Sequence, residues 1–458
     1  MSDDDGSASS ASPEASIRRW IEHHVGARVV SVRREGRWRP AWYAEIERDG
    51  RASGLYVRGD RGHGFSYPLE REAETLRMFE RHGVRVPHVH GLLDNPKAIV
   101  MDRVPGERQL SGTADPDEQS AVIESYLAQL VRIHGIPLPD AAAAGLDVPV
   151  AAVDVHLAFH RTRSAVYRRF KGRPEPMVEF VMKWLARNVP THRDRRAVAT
   201  VDAGQFLVDD GRVSAVYDLE LVHVTDPQAD LAGLRIRNAF EPLGDLRHIF
   251  RRYTELTGDP VDRGTVNFHT MVFALSANQA IARIRTQPTR DYVQYFTWEV
   301  SGSLLALSAL AEDLGVTLTA PSVDRGRPAE PLSDSLAAAL ELWTPPEDAY
   351  ERSLVDHLVE HLRLVRTLGP RLHAEHVDDV AALIGRAPTD PAGPDADLER
   401  FVLEAGPDQD VAILEVLVRR AQRQRLLVPP MIAETSAAGA VGPHLDSCYL
   451  EPVSSLLR

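Results

Sequence analysis

Val216-Tyr-Asp218-Leu-Glu220-Leu-Val-His223-Val-Thr-Asp226-Pro-Gln-Ala-Asp230-Leu-Ala232 is the stretch that decides the fold. The apolar run Val213 to Tyr217 ends in Asp218, which puts a carboxylate at the mouth of a sheet and not in its core. Just upstream, Gln205 to Val208 is joined to that run by Asp209-Asp210-Gly211, a hairpin signal. Asp202 lies three residues before Gln205, so two acids frame one hairpin. Asp226 precedes a proline at a helix start, an N-cap pattern, and Asp230 is placed to brace the loop ahead of the hairpin.

Working outward, the chain before this hairpin is strand-rich and then helical. Ile17 to His24 repeats at helical spacing. Val29 to Arg33, Trp42 to Glu47 and Gly54 to Arg58 read as an antiparallel meander, with Asp49-Gly50 as the second turn. A helix is predicted over Leu69 to His82, with Leu69, Ala73, Leu76 and Phe79 on one face, and a short apolar strand over Ala98 to Asp102. Amphipathic helices are predicted over Glu118 to His134, Met177 to Asn188 and Leu246 to Thr257. Pro321 to Pro346 reads as a linker, followed by three helical patterns around Leu354 to Val365, Val377 to Ile384 and Val411 to Leu426. The expected layout is a disordered tail over 1–14, a nucleotide-binding N-lobe over 15–104 and a helical C-lobe over 105–320. A linker over 321–346 and a helical C-terminal region over 347–458 complete it.

This order of parts is that of a protein-kinase-like fold: α+β, bilobal, with an antiparallel N-lobe and a mainly helical C-lobe. The segments Leu69 to Glu80 and Val84 to Val89 resemble the N-lobe helix and strand of the aminoglycoside phosphotransferase and choline kinase family. Ala98-Ile-Val-Met101-Asp-Arg103-Val-Pro-Gly resembles its hinge, and Val216 to Ala232 its metal-binding segment. The resemblance implies a kinase that uses ATP and Mg2+ to phosphorylate a hydroxyl of a small molecule.

It also implies roles. Asp218 would hold the metal across the phosphates, Asp202 would accept the proton of the acceptor hydroxyl, and Gln205 would offer its oxygen to the metal. The family usually has His-Gly-Asp, four residues and Asn. This chain has Thr200-Val-Asp202-Ala-Gly-Gln205, a shorter loop without the His or the Asn. Arg58 would contact phosphate with Glu72 as its partner, because no lysine precedes Lys97. Met101 and Arg103 would line the nucleotide site from the hinge. Between the first two strands there is one glycine, Gly36, so Arg37 and Arg39 would substitute charge for backbone amides. Arg235, Arg237 and Asn238, just past the helix that follows Asp226, could face the acceptor cleft, with the solvated surface the expected place for any one of them. The lost His and Asn and the glycine-poor turn also suit a pseudokinase or ligand-binding regulator.

Composition narrows the field. The 458 residues are 43% hydrophobic and 26% charged, with a net charge of −13, which opposes nucleic-acid binding. No apolar run reaches the ~20 residues of a membrane span. Cys448 is the only cysteine, which excludes an intrachain disulfide framework or a cysteine-rich zinc site. A cytoplasmic enzyme is expected. The C-terminal helices carry apolar stripes that must pack on the main body, on a second copy in a homodimer, or on another protein.

Overall fold

The structure, a computed structural model, describes residues 12–37, 39–62, 67–108, 110, 115–286, 289–318, 349–390, 393–430 and 449–457. The linker expected over 321–346 lies outside the described residues, as does most of the tail. The exception is the start of helix α1 (Pro13–His24), capped by the Ser12 hydroxyl, which accepts from the Ala15 amide at 3.2 Å. Residues 13 and 14 are thus part of a helix, with Ser12 as its cap, and not of a tail. Pro13 at the first helical position supplies the fixed φ that a helix start needs.

The first lobe is a five-stranded antiparallel sheet in the order β1-β2-β3-β5-β4, with β1 Arg28–Arg34, β2 Ala41–Arg48, β3 Arg51–Gly59, β4 Val89–Asp94 and β5 Lys97–Asp102. Asp49 and Gly50 both take positive φ at the β2–β3 turn, the conformation an Asp-Gly pair allows at low cost. Alternation then sorts the strands into two faces. Trp42, Ala44, Ile46, Leu55 and Val57 pack against Ile17 and Ile21 of α1. Each fully buried isoleucine there stabilises the lobe by about 1.5–3 kcal/mol. The opposite face carries Tyr43, Tyr56, Arg58 and Met101, and helix α2 (Leu69–Arg81) lies beneath it.

The second lobe is helical: α3 Pro116–His134, α4 Leu138–Ala143, α5 Ala152–Phe170, α6 Pro176–Arg187, α7 Gln228–Asn238, α8 Leu246–Thr257, α9 Arg263–Ile284 and α10 Tyr292–Asp313. The hairpin of β8 (Phe206–Asp209) and β9 (Arg212–Val216) pairs on its far side with the two-residue β6, Glu107–Arg108. Helices α9 and α10 lie at the centre of the lobe and are buried nearly all round. A helix without a polar face has no amphipathic period, which is why the sequence pattern does not reveal either one.

C-terminal to these, helix Ala349–Ile384 runs unbroken through Pro370, where the sequence suggests two separate helices. A proline inside a helix costs about 3 kcal/mol. The buried stripe Leu364, Leu368, Leu372, His376 and Val380 continues across it at four-residue spacing and offsets that cost. Helix Pro394–Glu404 packs on α6, and Asp410–Arg425 packs on α10. The apolar residues of these two helices join the C-lobe core itself, whereas Leu358, Leu362 and Val365 of helix Ala349–Ile384 are exposed.

Candidate active site

Two short strands clamp the loops that matter. β7 (Ala197–Ala199) pairs antiparallel with β10 (His223–Thr225), so the loop after β7, which holds Asp202, lies beside the segment before β10, which holds Asp218. The first loop is braced by Asp230 of α7. Its carboxylate accepts from the amides of Thr200 (3.1 Å) and Val201 (2.7 Å), from the Thr200 hydroxyl (2.8 Å), and from the His134 ring at 2.8 Å. Val201 is held at φ 64°, a left-handed conformation costly for a β-branched residue. Gly233 lets α7 come this close: a Cβ there would stand 2.4 Å from the Val201 carbonyl oxygen and 2.8 Å from the Ala203 nitrogen. The scaffolding role expected of Asp230 is the one observed. Asp226 accepts from the Gln228 amide at 2.9 Å and pairs with Arg193 at 3.0 Å.

The side-chain amide of Gln205 lies between the two acids, donating to Asp202 Oδ2 at 2.6 Å and reaching Asp218 Oδ2 at 3.4 Å. Asp202 and Asp218 keep 19% and 22% of their side-chain surface exposed, so both open on the space between the lobes. Asp218 itself sits at φ 58°, a conformation Asp tolerates better than most residues, which turns the chain off the hairpin.

Four arginines hold the acids. Arg58 reaches Glu72 at 2.9 Å and also pairs with Asp218, with Glu220 at 3.4 Å. Arg39 pairs with Glu220, and Arg61 reaches the same carboxylate at 3.1 Å. Arg237 pairs with Asp202 and lies 3.4 Å from Glu241. These surroundings push the carboxyl groups apart. Burial drives Asp202 up to about 6, against the pull of Arg237 and with a further push from Asp218. Burial also opposes ionisation of Asp218, but Arg58, Arg39 and Arg61 outweigh it and hold that carboxyl far below the usual range. Glu72 is raised by burial despite Arg58. One acid is thus poised near neutrality while its neighbour stays charged, the separation expected of a base beside a cation site.

The residues singled out in the sequence fall into two groups. Asp202, Gln205, Asp218, Arg58 and Glu72 form one cluster. Met101 and Arg103 lie apart from it, on the roof of the cleft. Met101 is buried opposite Tyr56, and Arg103 crosses Gly54 to pair with Glu45 at 2.9 Å over the Tyr43 ring. Arg37 also belongs to the roof, donating to the Tyr56 hydroxyl at 3.0 Å, while Arg39 reaches the acids.

Sequence reasoning missed Glu220, Arg61 and the contact of Arg237. The spacing held a clue for the first two, since Glu220 follows Asp218 by two residues and Arg61 follows Arg58 by three. Neither Arg235 nor Arg237 is a solvated surface group. Arg235 is buried against Glu312 at 3.1 Å and Asn267 at 2.9 Å, because α7 packs along α9 and turns that side chain inward. His223 is a packed histidine, bonded to the Tyr67 hydroxyl at 2.6 Å and pushed down to about 3 by burial.

Residues 48–264 match the sequence model of the APH family, described as a phosphotransferase enzyme family. Over this span, just under half of the chain, the sequence is similar to that phosphotransferase enzyme family. The match covers β3 through the start of α9 and so includes every residue of the cluster except Arg39. Among solved structures, the apo form of a thermostable mutant of aminoglycoside phosphotransferase APH(4)-Ia is similar at 15% identity and a TM-score of 0.49, over 65% of this chain and 100% of that one. A further variant of that thermostable mutant, in a ternary complex with ADP and hygromycin B, is similar at 14% identity and a TM-score of 0.44, over 60% and 99%. Macrolide 2'-phosphotransferase MphH from Brachybacterium faecium is similar at 21% identity and a TM-score of 0.42, over 59% and 92%. No curated protein sequence matches the chain significantly. The family's two-lobed, kinase-like fold is the fold seen here, extended by the C-terminal helices.

Proposed function

We propose that the chain is a Mg2+-dependent kinase that transfers the γ-phosphate of ATP to a hydroxyl of a small molecule. The observation that carries this reading is the pairing of a carboxyl raised to about 6, Asp202, with one that Arg58, Arg39 and Arg61 hold far below the usual carboxylate range, Asp218, across a single Gln205 amide. Phosphoryl transfer asks the protein for positioning and charge more than for covalent chemistry.

Asp202 takes the hydroxyl proton as the bond to phosphorus forms. Arg237, on the same helix α7 as Asp230, fixes its orientation, and the loop that carries Asp202 is braced by Asp230. Arg58, fixed by Glu72, presents its planar fork to the phosphates. Arg39 and Arg61 add positive charge where a glycine-rich turn would offer amides. The roof of Tyr43, Tyr56 and Met101, with Arg103 across it, is the surface for the base.

The donor set fits Mg2+. Among the described residues no group of three or more His, Cys, Asp or Glu forms a metal cage. Mg2+ is commonly held by one or two carboxylates together with substrate phosphates. Asp218 and the oxygen of Gln205, after rotation of its amide, would hold it, and it would neutralise the charge on the phosphates.

A second reading, a pseudokinase or ligand-binding regulator, draws on one observation: Arg58 and Arg237 pair directly with Asp218 and Asp202. A melting assay separates the two. Stabilisation by ATP with Mg2+, lost in Asp218→Ala, is expected of the kinase. A melting temperature unmoved by ATP with Mg2+ favours the regulator.

A further inference from the structure

Three arginines of the N-lobe converge on two acids of the C-lobe. Arg39 lies between β1 and β2, Arg58 near the end of β3 and Arg61 just past it, whereas Asp218 and Glu220 lie between β9 and β10. Glu220 divides its carboxylate among them. Arg39 pairs with Oε2, which Arg58 reaches at 3.4 Å, and Arg61 pairs with Oε1 at 3.1 Å. The side chains of Arg39, Arg61 and Glu220 keep at most 7% of their surface exposed, so this contact between the lobes is dry. Burial and Asp218 oppose ionisation of Glu220, but Arg39, Arg61 and Arg58 outweigh them and hold the carboxyl below its usual range.

Arg39 and Arg61 are tied to one another through the backbone. The Gly59 amide donates to the Pro40 carbonyl at 2.8 Å, and a Cβ at position 59 would stand 2.7 Å from that oxygen, so the turn that carries Arg39 is seated on the strand end that leads to Arg61. Arg58 has a different footing. Glu72 and Asp218 hold it whatever Glu220 does, while Glu220 is where Arg39 and Arg61 meet. Set against Glu72, the three arginines leave the N-lobe side with an excess of two positive charges, which Asp218 and Glu220 balance from the C-lobe. A guanidinium fork donates to a carboxylate and to a phosphate in the same manner. Glu220 thus occupies the donors that a phosphate would use.

We propose that Glu220 is an internal stand-in for phosphate: it latches the lobes together through Arg39 and Arg61, and an incoming polyphosphate must take both arginines from it. The inference rests on the kinase reading for the identity of the natural anion, and on the ion pairs themselves for the latch. Only the unlatched molecules are competent to bind, so the latch lowers the apparent affinity by the fraction in which it is open. Removing a residue that aims the arginines at phosphate would weaken binding, and removing one that only packs would leave it unchanged or weaker. Removing a latch strengthens it.

The test uses the full chain and inorganic tripolyphosphate without Mg2+, titrated by calorimetry. Glu220→Gln keeps the shape of the side chain without its charge and should bind tripolyphosphate at least about tenfold more tightly than wild type. Glu241→Gln removes a negative charge from the pairs with Arg237 and Arg108 instead, and should gain no more than about twofold. Glu220→Gln should melt below wild type, and saturating tripolyphosphate should close the gap. The lobes stay joined in it by Arg71, which donates to the Val222 carbonyl at 2.6 Å. Should that variant fail to fold, Glu220→Asp, which draws the carboxylate back by one methylene, carries the test with a gain of about threefold or more. Equal or weaker tripolyphosphate binding in a folded Glu220 variant, or the same gain in Glu241→Gln, would overturn the latch. If ATP with Mg2+ stabilises the protein and phosphate is transferred while the Glu220 variants gain nothing, the latch falls and the kinase reading stands. If the gain is seen but ATP with Mg2+ gives neither stabilisation nor transfer, the latch stands as a polyphosphate gate and the kinase reading falls.

Discussion

Replacing Asp230 with alanine should loosen the loop that holds Asp202 without touching any group that meets a substrate. The fully buried carboxylate accepts from two backbone amides, one hydroxyl and one imidazole. Leaving a buried donor unsatisfied costs about 1–3 kcal/mol, so the two amides alone represent about 2–6 kcal/mol. Relaxation of Val201 from its left-handed conformation offsets about 1–2 kcal/mol of this. A net loss centred near about 2.5 kcal/mol, within limits of about 0–5 kcal/mol, is expected in urea unfolding followed by tryptophan fluorescence. Because that relaxation moves Asp202, turnover should fall by about 100-fold, the usual effect of a displacement near 1 Å at a reacting group. Asp230→Asn keeps one acceptor oxygen and should lie between wild type and Asp230→Ala on both scales. Unfolding within about 0.5 kcal/mol of wild type, with turnover intact, would refute the bracing argument.

Other outcomes follow from the same geometry. Gly233→Ala sets a methyl group against the Val201 carbonyl and should lower stability and turnover together, as read by melting temperature and single-turnover phosphate transfer. Arg58→Ala strands the buried carboxylate of Glu72 and should cost about 3–5 kcal/mol by urea unfolding, whereas Arg58→Met with Glu72→Leu should recover only the part due to Glu72, since Asp218 and Glu220 lose Arg58 in both. Because a base must be unprotonated and the Asp202 carboxyl lies at about 6, turnover should rise with pH through that value and level off above it. A profile flat from about pH 5 to about pH 7, roughly one unit either side of the midpoint, would remove Asp202 from that role.

The parts legible in the sequence are those whose signal is local. Alternation and an Asp-Gly turn reveal the N-lobe meander, and Asp209-Asp210-Gly211 reveals the hairpin that presents Asp218. The Arg58–Glu72 pair is legible because Glu72 shares a helical face with Leu76 and Phe79, so it points inward and requires a counter-charge. What stays hidden depends on distant contacts. Arg237 lies 35 residues from Asp202, and Arg39 lies 181 from Glu220, so no local pattern joins them. Helices α9 and α10 are hidden because burial on all sides erases their period. The continuity of helix Ala349–Ile384 through Pro370 is hidden because it depends on packing against neighbours that the local pattern does not contain.

The central claim is that the carboxyl groups at positions 202 and 218 serve one phosphate-transfer site with different tasks. It is tested most directly by measuring ATP–Mg2+ stabilisation and phosphate transfer side by side in Asp202→Asn and Asp218→Ala. Asp202→Asn should keep the thermal shift and lose about 100-fold or more of transfer, while Asp218→Ala should lose both. Full transfer in Asp202→Asn, or an undiminished thermal shift in Asp218→Ala, would contradict the account.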